Sequence, residues 1–213
     1  MTLDFEECLH FTKSTSEKAG DIIQRYFEST IKARYKGKYD IVTDIDLKTE
    51  KLIVKEIENN YPNHDIVTEE TDLDRKDSDY TWFIDPISGT TNYLHGLPVF
   101  SVSIGLAYKK EPIIGAVFDP LRDELFSGAK GKSSFLNGRE IEISKIKKLE
   151  ESLVGTGFPY DINGRKKNLR YLNRIISKVQ GIRRSGSVAI DLCHVACGRL
   201  DGFWAIGLKP WDV

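Results

Sequence analysis

This sequence has almost no charge imbalance. Its 213 residues carry 31 Lys and Arg against 32 Asp and Glu, a formal net charge of −1 at pH 7. Non-specific nucleic-acid binding needs a large cationic excess, so that class is excluded, although a local charged site is not. Cysteine is also scarce. Cys8, Cys193 and Cys197 are an odd set of three, which excludes a disulfide framework and reads as reduced thiols. No apolar run reaches bilayer length, so a membrane span is not expected. The first residues, Met1 to Glu7, are acidic with no apolar centre and do not read as a secretory signal. A cytoplasmic location is expected. There is no internal repeat, low-complexity tract or Pro/Gly/Ser linker. Hydrophobic residues make up 40% and charged residues 30%, enough to bury a core as a single domain over 1–213.

The hydrophobic pattern alternates between helical and strand-like segments. Phe5, Cys8, Leu9, Ala19, Ile22, Ile23, Tyr26 and Phe27 recur at three-and-four spacing and predict a helix over 4–27. Lys32 to Asp40 is basic and reads as a loop or short strand. A second helix is predicted over 47–60 and is stopped by Pro62 and Asn63. Strands are predicted at 65–68, 80–84, 99–108, 113–118, 125–129 and 135–143, with Asn137-Gly138 as a hairpin turn. A strand at 153–156, a helix at 166–179, a strand at 181–184, a helix at 187–197 and a strand at 201–205 follow. Helices first, an antiparallel meander next and mixed α/β last predict layered helices and sheets. The N-terminal part runs to about 145 and the smaller C-terminal part from about 150.

Acids sit where apolar strands end. Glu69 and Glu70 follow one strand, and Asp85 follows another. Asp44 and Asp46 precede a helix, and Asp212 follows Lys209-Pro210-Trp211. Strand ends on one sheet edge can bring such residues into one cleft, where they repel unless a cation neutralises them. With no thiol or imidazole among them, oxygen-only ligands point to a hard cation, Mg²⁺ above all. Beside them, Asp85-Pro86-Ile87-Ser88-Gly89-Thr90-Thr91-Asn92 has the glycine and hydroxyls of an anion-holding turn. It is equally compatible with a plain turn capped by an Asx side chain.

The run Trp82-Phe83-Ile84-Asp85-Pro86-Ile87-Ser88-Gly89-Thr90-Thr91-Asn92-Tyr93 resembles the first signature of the inositol monophosphatase family, W-x-I-D-P-[LI]-D-G-T-x-N-[FY]. Lys209-Pro210-Trp211-Asp212-Val213 resembles the start of its second signature, W-D-x-A-A-G. Asp40 to Asp46, Thr68-Glu69-Glu70 and Arg183-Arg184-Ser185-Gly186-Ser187 match in order and spacing, so the resemblance runs from end to end. It implies a layered α/β/α/β/α sugar-phosphatase sandwich and Mg²⁺-dependent hydrolysis of a small-molecule phosphate monoester, with lithium sensitivity and a homodimer common among members. Carried over, Glu69, Asp85 and the Ile87 carbonyl would bind one metal, and Asp85 and Asp212 a second. Asp46 and Glu69 would help hold a weaker third. Thr90 would pair with Asp46 to orient the attacking water. Gly89 and Thr90 would hold phosphate oxygens, and Arg183, Gly186 and Ser187 would line the substrate side. One metal would activate water and another would neutralise the leaving oxygen, with positioning more important than covalent chemistry.

Three departures qualify that reading. Ser88 stands where the family has a third Asp that bridges metals, which should cost on the order of 3 kcal/mol of metal binding or transition-state stabilisation and impair activity. Ala205 stands where inositol-preferring members have Glu, so the substrate of a sister activity stays open: fructose 1,6-bisphosphate, a nucleotide 3′-phosphate or NADP. A non-catalytic phosphate-binding protein stays open as well. The sequence stops at Val213, just after the second-signature Asp, where family members continue with A-A-G, a helix and strands, so the C-terminal half is expected to be incomplete and Asp212 loosely held. Cys193-His194-x-x-Cys197 reads as packed core cysteines rather than a zinc site. His10, His64 and His95 read as surface residues, Trp82 and Phe83 as core, Asp44 as a helix cap and Lys145 to Lys148 as a solvated face.

Overall fold

A computed structural model describes residues 4–27, 29 and 31–213 of the chain. Helix α1 (Phe5–Tyr26) starts where Asp4 accepts hydrogen bonds from the Glu6 and Glu7 amides. Its buried stripe is partly polar: Thr12, Thr15 and Ser16 lie beside Cys8, Ala19 and Ile23. Two of those hydroxyls are satisfied one turn back, Thr12 Oγ1 donating to the Cys8 carbonyl at 2.7 Å and Ser16 Oγ to the Thr12 carbonyl at 2.9 Å. Phe5, expected on the inward face, is exposed.

Lys32 to Asp40 lies largely in a hairpin, β1 (Ala33–Tyr35) pairing antiparallel with β2 (Ile41–Thr43). Helix α2 (Asp44–Asn60) begins at Asp44 rather than Leu47. The cap is Thr43, not Asp44, because Thr43 and Asp46 form a reciprocal capping box.

Seven strands then build one sheet in sequence order: β3 (Asp65–Thr68), β4 (Tyr80–Ser88), β5 (Ser101–Tyr108), β6 (Glu111–Asp119), β7 (Glu124–Ala129), β8 (Ser134–Leu136) and β9 (Arg139–Glu140). Only β3 and β4 run parallel. Strand β4 does not end at Asp85. It continues to Ser88 through a bulge between Asp85 and Ser88, where Pro86 has no ladder hydrogen to lose. The expected strand at 135–143 is only a short hairpin, with Asn137 and Gly138 both at positive φ (49° and 75°). Trp82, Ile84, Val102, Ile104 and Leu106 of the sheet pack with Ile23, Ile53 and Ile57 of α1 and α2 in the main core.

Helix α3 (Thr90–Leu94) follows β4 directly. The C-terminal part comprises β10 (Leu153–Thr156), α4 (Ile162–Ile175), β11 (Gly181–Arg183), α5 (Val188–Ala196) and β12 (Gly202–Trp204). Its parallel sheet has the order β11-β10-β12. Helix α4 starts at Ile162 rather than Lys166 because Asp161 accepts from the Gly164 amide at 2.7 Å. Helix α5 packs against both β12 and strands β4 to β6. Helix α4 is tied to the small sheet by buried Asn168, which donates to Thr156 and the Gly157 carbonyl and accepts from Trp204. The layers therefore run helix, sheet, helix, sheet, helix: the α/β/α/β/α sandwich that the resemblance implied. No helix of the described residues is long and apolar enough to cross a membrane.

One surface expectation fails. His64 is half-buried between the rings of Tyr61 and Tyr80, and its Nδ1 accepts from Trp82 Nε1 at 3.1 Å. Cys193 and Cys197 are half-buried rather than fully packed, and Phe83 likewise lies half-buried.

Gly20 shows how closely α1 seats on the sheet. A Cβ there would come within 2.5 Å of the Phe118 ring carbon Cε1. In an open helix, Gly→Ala stabilises by about 1 kcal/mol. Here Gly20→Ala should instead destabilise by about 1–3 kcal/mol through overpacking. A urea midpoint that rises in the variant would overturn this reading of the helix–sheet contact.

Candidate functional site

The bulge at the end of β4 delivers three features to one place. Asp85 is buried inward, Ser88 is turned toward α5, and Gly89 (φ 108°) makes the bend into α3. A Cβ at Gly89 would lie 3.0 Å from the Val99 carbonyl oxygen, so both the backbone angle and the space call for glycine. Asn92 on α3 donates to the Val99 carbonyl at 2.8 Å and to the Ser185 carbonyl at 2.9 Å. It thereby fixes the loop before α5. That loop passes so near that a side chain at Gly186 (φ 102°) would overlap the Asn92 amide.

Around this bend lies a cleft of about 590 Å³. Of the sequence-predicted residues, Glu69, Asp85, Ile87, Ser88, Gly89, Thr90, Gly186, Ser187 and Asp212 all line it. Asp46 stands behind, buried, with Oδ1 accepting from Thr90 Oγ1 at 3.0 Å and Oδ2 accepting from the Thr43 amide at 2.9 Å. Arg183 is not brought in: it is exposed, and its guanidinium turns back to the Ile182 carbonyl. Its neighbour Arg184 lines the cleft instead, because alternate residues of a strand end face opposite ways.

Ser88 has a definite partner. Ser187 Oγ donates to Ser88 Oγ at 3.1 Å, and the Ala189 amide approaches it at 3.4 Å. Ser187 Oγ in turn accepts from the Ile190 amide as the cap of α5. The serine hydroxyl thus serves the start of a helix.

The electrostatics are those of crowded acids. Burial raises the Asp85 carboxyl well above the ordinary range, and the charges of Glu69, Asp212 and Asp46 push it further. Burial likewise raises Glu69, Asp46 and Asp212. Among the described residues Asp85 Oδ1 is buried with no hydrogen-bond partner. Glu50 on α2 accepts from Thr68 Oγ1 and from the Glu70 amide, fixing the Thr68-Glu69-Glu70 segment. Lys36 from the hairpin donates to Glu70 Oε1 at 2.8 Å and Glu69 Oε1 at 3.3 Å, with Asp40 Oδ1 at 3.5 Å. Across the cleft, the Arg165 guanidinium lies 4.1 Å from the Tyr39 ring centroid, and Arg165 Nε donates to the Pro159 carbonyl.

This donor set fits a hard cation. It is oxygen-only, and an orphaned buried carboxylate oxygen sits beside a second raised carboxylate. Among the described residues no three such side chains yet converge on one point as metal ligands. Lys36 holds Glu69, and the Lys209 amide donates to Asp212 Oδ2 at 2.6 Å. A second cleft of about 560 Å³ lies on the sheet face next to α5 and is lined by none of the predicted residues.

Sequence reasoning missed Lys36, Glu50 and Tyr160, the last of which lines the cleft. Glu50 left a trace, a carboxylate in register with the apolar face of α2 (Ile53, Ile57). Lys36 and Tyr160 lie in loops and left none.

A family model described as the inositol monophosphatase family matches residues 4–213. Inositol monophosphatase 1 of Solanum lycopersicum is 42% identical over 215 residues, covering 98% of this chain and 79% of that protein. Nus factor SuhB of Escherichia coli is 38% identical over 210 residues, covering 96% of this chain and 78% of that one. The crystal structure of extragenic suppressor protein suhB from Bartonella henselae superposes with a TM-score of 0.93 at 35% identity, covering 97% and 81% of the two chains.

Lys36 should matter through charge. Burial holds the Glu70 carboxyl at about 7 even beside the lysine, so its folded pKa lies above its unfolded one. Such a group costs stability when ionised above that pH and costs less as falling pH protonates it. Lys36→Met should therefore destabilise by about 1–2 kcal/mol at pH 8 and by clearly less at pH 5.5, read from urea midpoints in chelator. Equal losses at both pH values would assign the lysine to packing.

Proposed function

The chain belongs to the inositol monophosphatase family, a phosphatase family, and from that premise we propose that it is a Mg²⁺-dependent phosphate monoester hydrolase acting on a sugar phosphate such as inositol 1-phosphate, with turnover limited by Ser88. The observation that carries this reading is the buried, unpartnered Asp85 oxygen amid Glu69, Asp46 and Asp212 beside the Gly89 bend. Glu69, Asp85 and the Ile87 carbonyl would hold one Mg²⁺, Asp85 and Asp212 a second, and Asp46 with Glu69 a weaker third. When bound, Mg²⁺ supplies Lewis-acid polarisation of a phosphate oxygen and neutralises developing charge.

This chain's own residues do the rest. Thr90 Oγ1 has one hydrogen and two acceptors in reach, Asp46 Oδ1 at 3.0 Å and the Ile87 carbonyl at 3.1 Å; donating to Asp46 would leave its lone pairs to accept from an attacking water. The water's proton can pass through the Thr90 hydroxyl toward Asp46, whose raised carboxyl accepts it readily. Gly89 and Thr90 would hold phosphate oxygens, and Gly186 and Ser187 would wall the substrate side. In-line attack on phosphorus depends on this positioning.

A second reading is favoured by Ser88, whose hydroxyl is committed to α5: a phosphate-binding protein with no turnover. Phosphate release from a sugar-phosphate panel separates the two. Under the first reading, Mg²⁺-dependent release is measurable, chelation abolishes it, and Ser88→Asp raises kcat/KM by about a hundredfold, the scale of one preorganised group. Release that is independent of metal, or a Ser88→Asp variant that binds Mg²⁺ yet is no faster, would sink the proposal.

A further inference from the structure

The chain is nearly neutral as a whole, but its charge is unevenly spread. Between Asp161 and Asp191 there is no Asp or Glu, and the segment holds eight Lys and Arg. Six of them fall on α4 or the turn after it: Arg165, Lys166, Lys167, Arg170, Arg174 and Lys178. Arg165 is engaged, lying over the Tyr39 ring and donating to the Pro159 carbonyl. The other five are exposed, and among the described residues none of them forms an ion pair. Like charges four residues apart, such as Lys166 with Arg170 and Arg170 with Arg174, destabilise a helix unless something offsets them.

Apolar side chains are exposed on the same helix. Ile162, Leu169 and Ile176 recur every seven residues and are between 46% and 58% exposed. Ile176, the C-cap, keeps the helical conformation. Buried Asn168 marks the inward direction, since it donates to Thr156 and the Gly157 carbonyl and accepts from Trp204. At about 100° per residue, the three aliphatics form one stripe about 80–120° round from Asn168 and about 21 Å long. Lys166, Arg170, Arg174 and Lys167 fill the adjoining arc, from about 160° to about 260°.

This pattern chooses among anionic partners. A nucleic acid would use the cations and stack on aromatic rings, but an aliphatic stripe offers it nothing. A protein that engulfs a basic amphipathic helix needs all its faces, and the Asn168 face of α4 is committed to the β11-β10-β12 sheet. A bilayer needs one side only, with apolar side chains at the acyl boundary and cations beside anionic headgroups.

We infer that α4 docks the protein on an anionic lipid surface, lying on the bilayer without crossing it. Ile162, Leu169 and Ile176 enter the headgroup–acyl boundary, and Lys166, Lys167, Arg170 and Arg174 face the headgroups. Tyr160 and Asp161, just before α4, line the candidate cleft, so the docked surface adjoins it. The inference needs no turnover and stands apart from the phosphatase reading.

Flotation of the full chain with vesicles of phosphatidylserine and phosphatidylcholine, against phosphatidylcholine alone, tests it. Binding should require phosphatidylserine and fall with salt. Lys166→Gln/Lys167→Gln/Arg170→Gln should weaken it about a hundredfold, at about fivefold per cation. Leu169→Gln/Ile176→Gln, which keeps every charge, should weaken it about tenfold. All five positions are exposed, so the urea midpoint should stay in place in both variants. Inorganic phosphate at matched ionic strength should not compete, whereas it would displace a headgroup held in the cleft. Absent or equal binding to the two vesicle types, displacement by phosphate, or either variant binding as well as the native chain overturns the inference. So does tighter binding of single-stranded RNA or polyglutamate than of vesicles, or sedimentation showing that these substitutions break a dimer formed through α4.

Discussion

Holding ionisable oxygen away from water is the constraint around which this molecule is arranged. Asp85 lies at the bulge of strand β4 with one oxygen unpartnered among the described residues, and Glu69, Asp46 and Asp212 add like charge around it. Such a cluster survives folding only if protons, an ammonium or an added cation offset the repulsion. Two of these offsets are built in. The carboxyl groups are pushed toward protonation, and Lys36 reaches in from the β1–β2 hairpin. The hairpin itself is stitched to the far wall by Arg165 over Tyr39. A local electrostatic problem therefore reaches from the first hairpin to α4.

The scaffold holds that cluster by hydrogen bonds to backbone rather than by side-chain pairing alone. Glu50 fixes the segment that presents Glu69, Thr43 and Asp46 cap α2, and Asn92 ties α3 to the loop before α5. Each joins an element of the large sheet or its helices to a loop of the cleft, and buried amides leave such loops little freedom. Ser88 adds a contact of the same kind. It accepts hydrogen bonds from Ser187 and the Ala189 amide at the start of α5 and so couples the β4 bulge to the helix between the two sheets. A carboxylate at 88 would carry charge to that point; the serine carries none.

The two ends of the cleft divide the chemistry. Carboxylates and the Gly89 bend line one end, while Arg184, Lys209 and an apolar wall line the other. Family membership accounts for the first end. The second is set by single side chains such as Ala205, which can change while the fold stays as it is.

Much of this was legible in the residues. Apolar periodicity located the helices and strands, and the Asp-Pro-Ile-Ser-Gly-Thr run marked the bend because glycine reaches the positive φ that the turn needs. The end of β3, the β4 bulge and the turn after β12 bring Glu69, Asp85 and Asp212 into one cleft. Boundaries moved where a cap decided them: Thr43 pulled α2 forward to Asp44, and Asp161 pulled α4 forward to Ile162. His64 could not be placed, since its stacking between Tyr61 and Tyr80 joins residues of separate elements. Lys36, Glu50 and Tyr160 stayed silent, and Arg183 had to yield to Arg184, because these assignments depend on which way a side chain points once distant segments meet. Chain order and residue type set local conformation and the kinds of donor available. Which donors share a charge or a hydrogen bond was decided only by the tertiary structure, because those interactions fade over a few ångströms and link residues many positions apart.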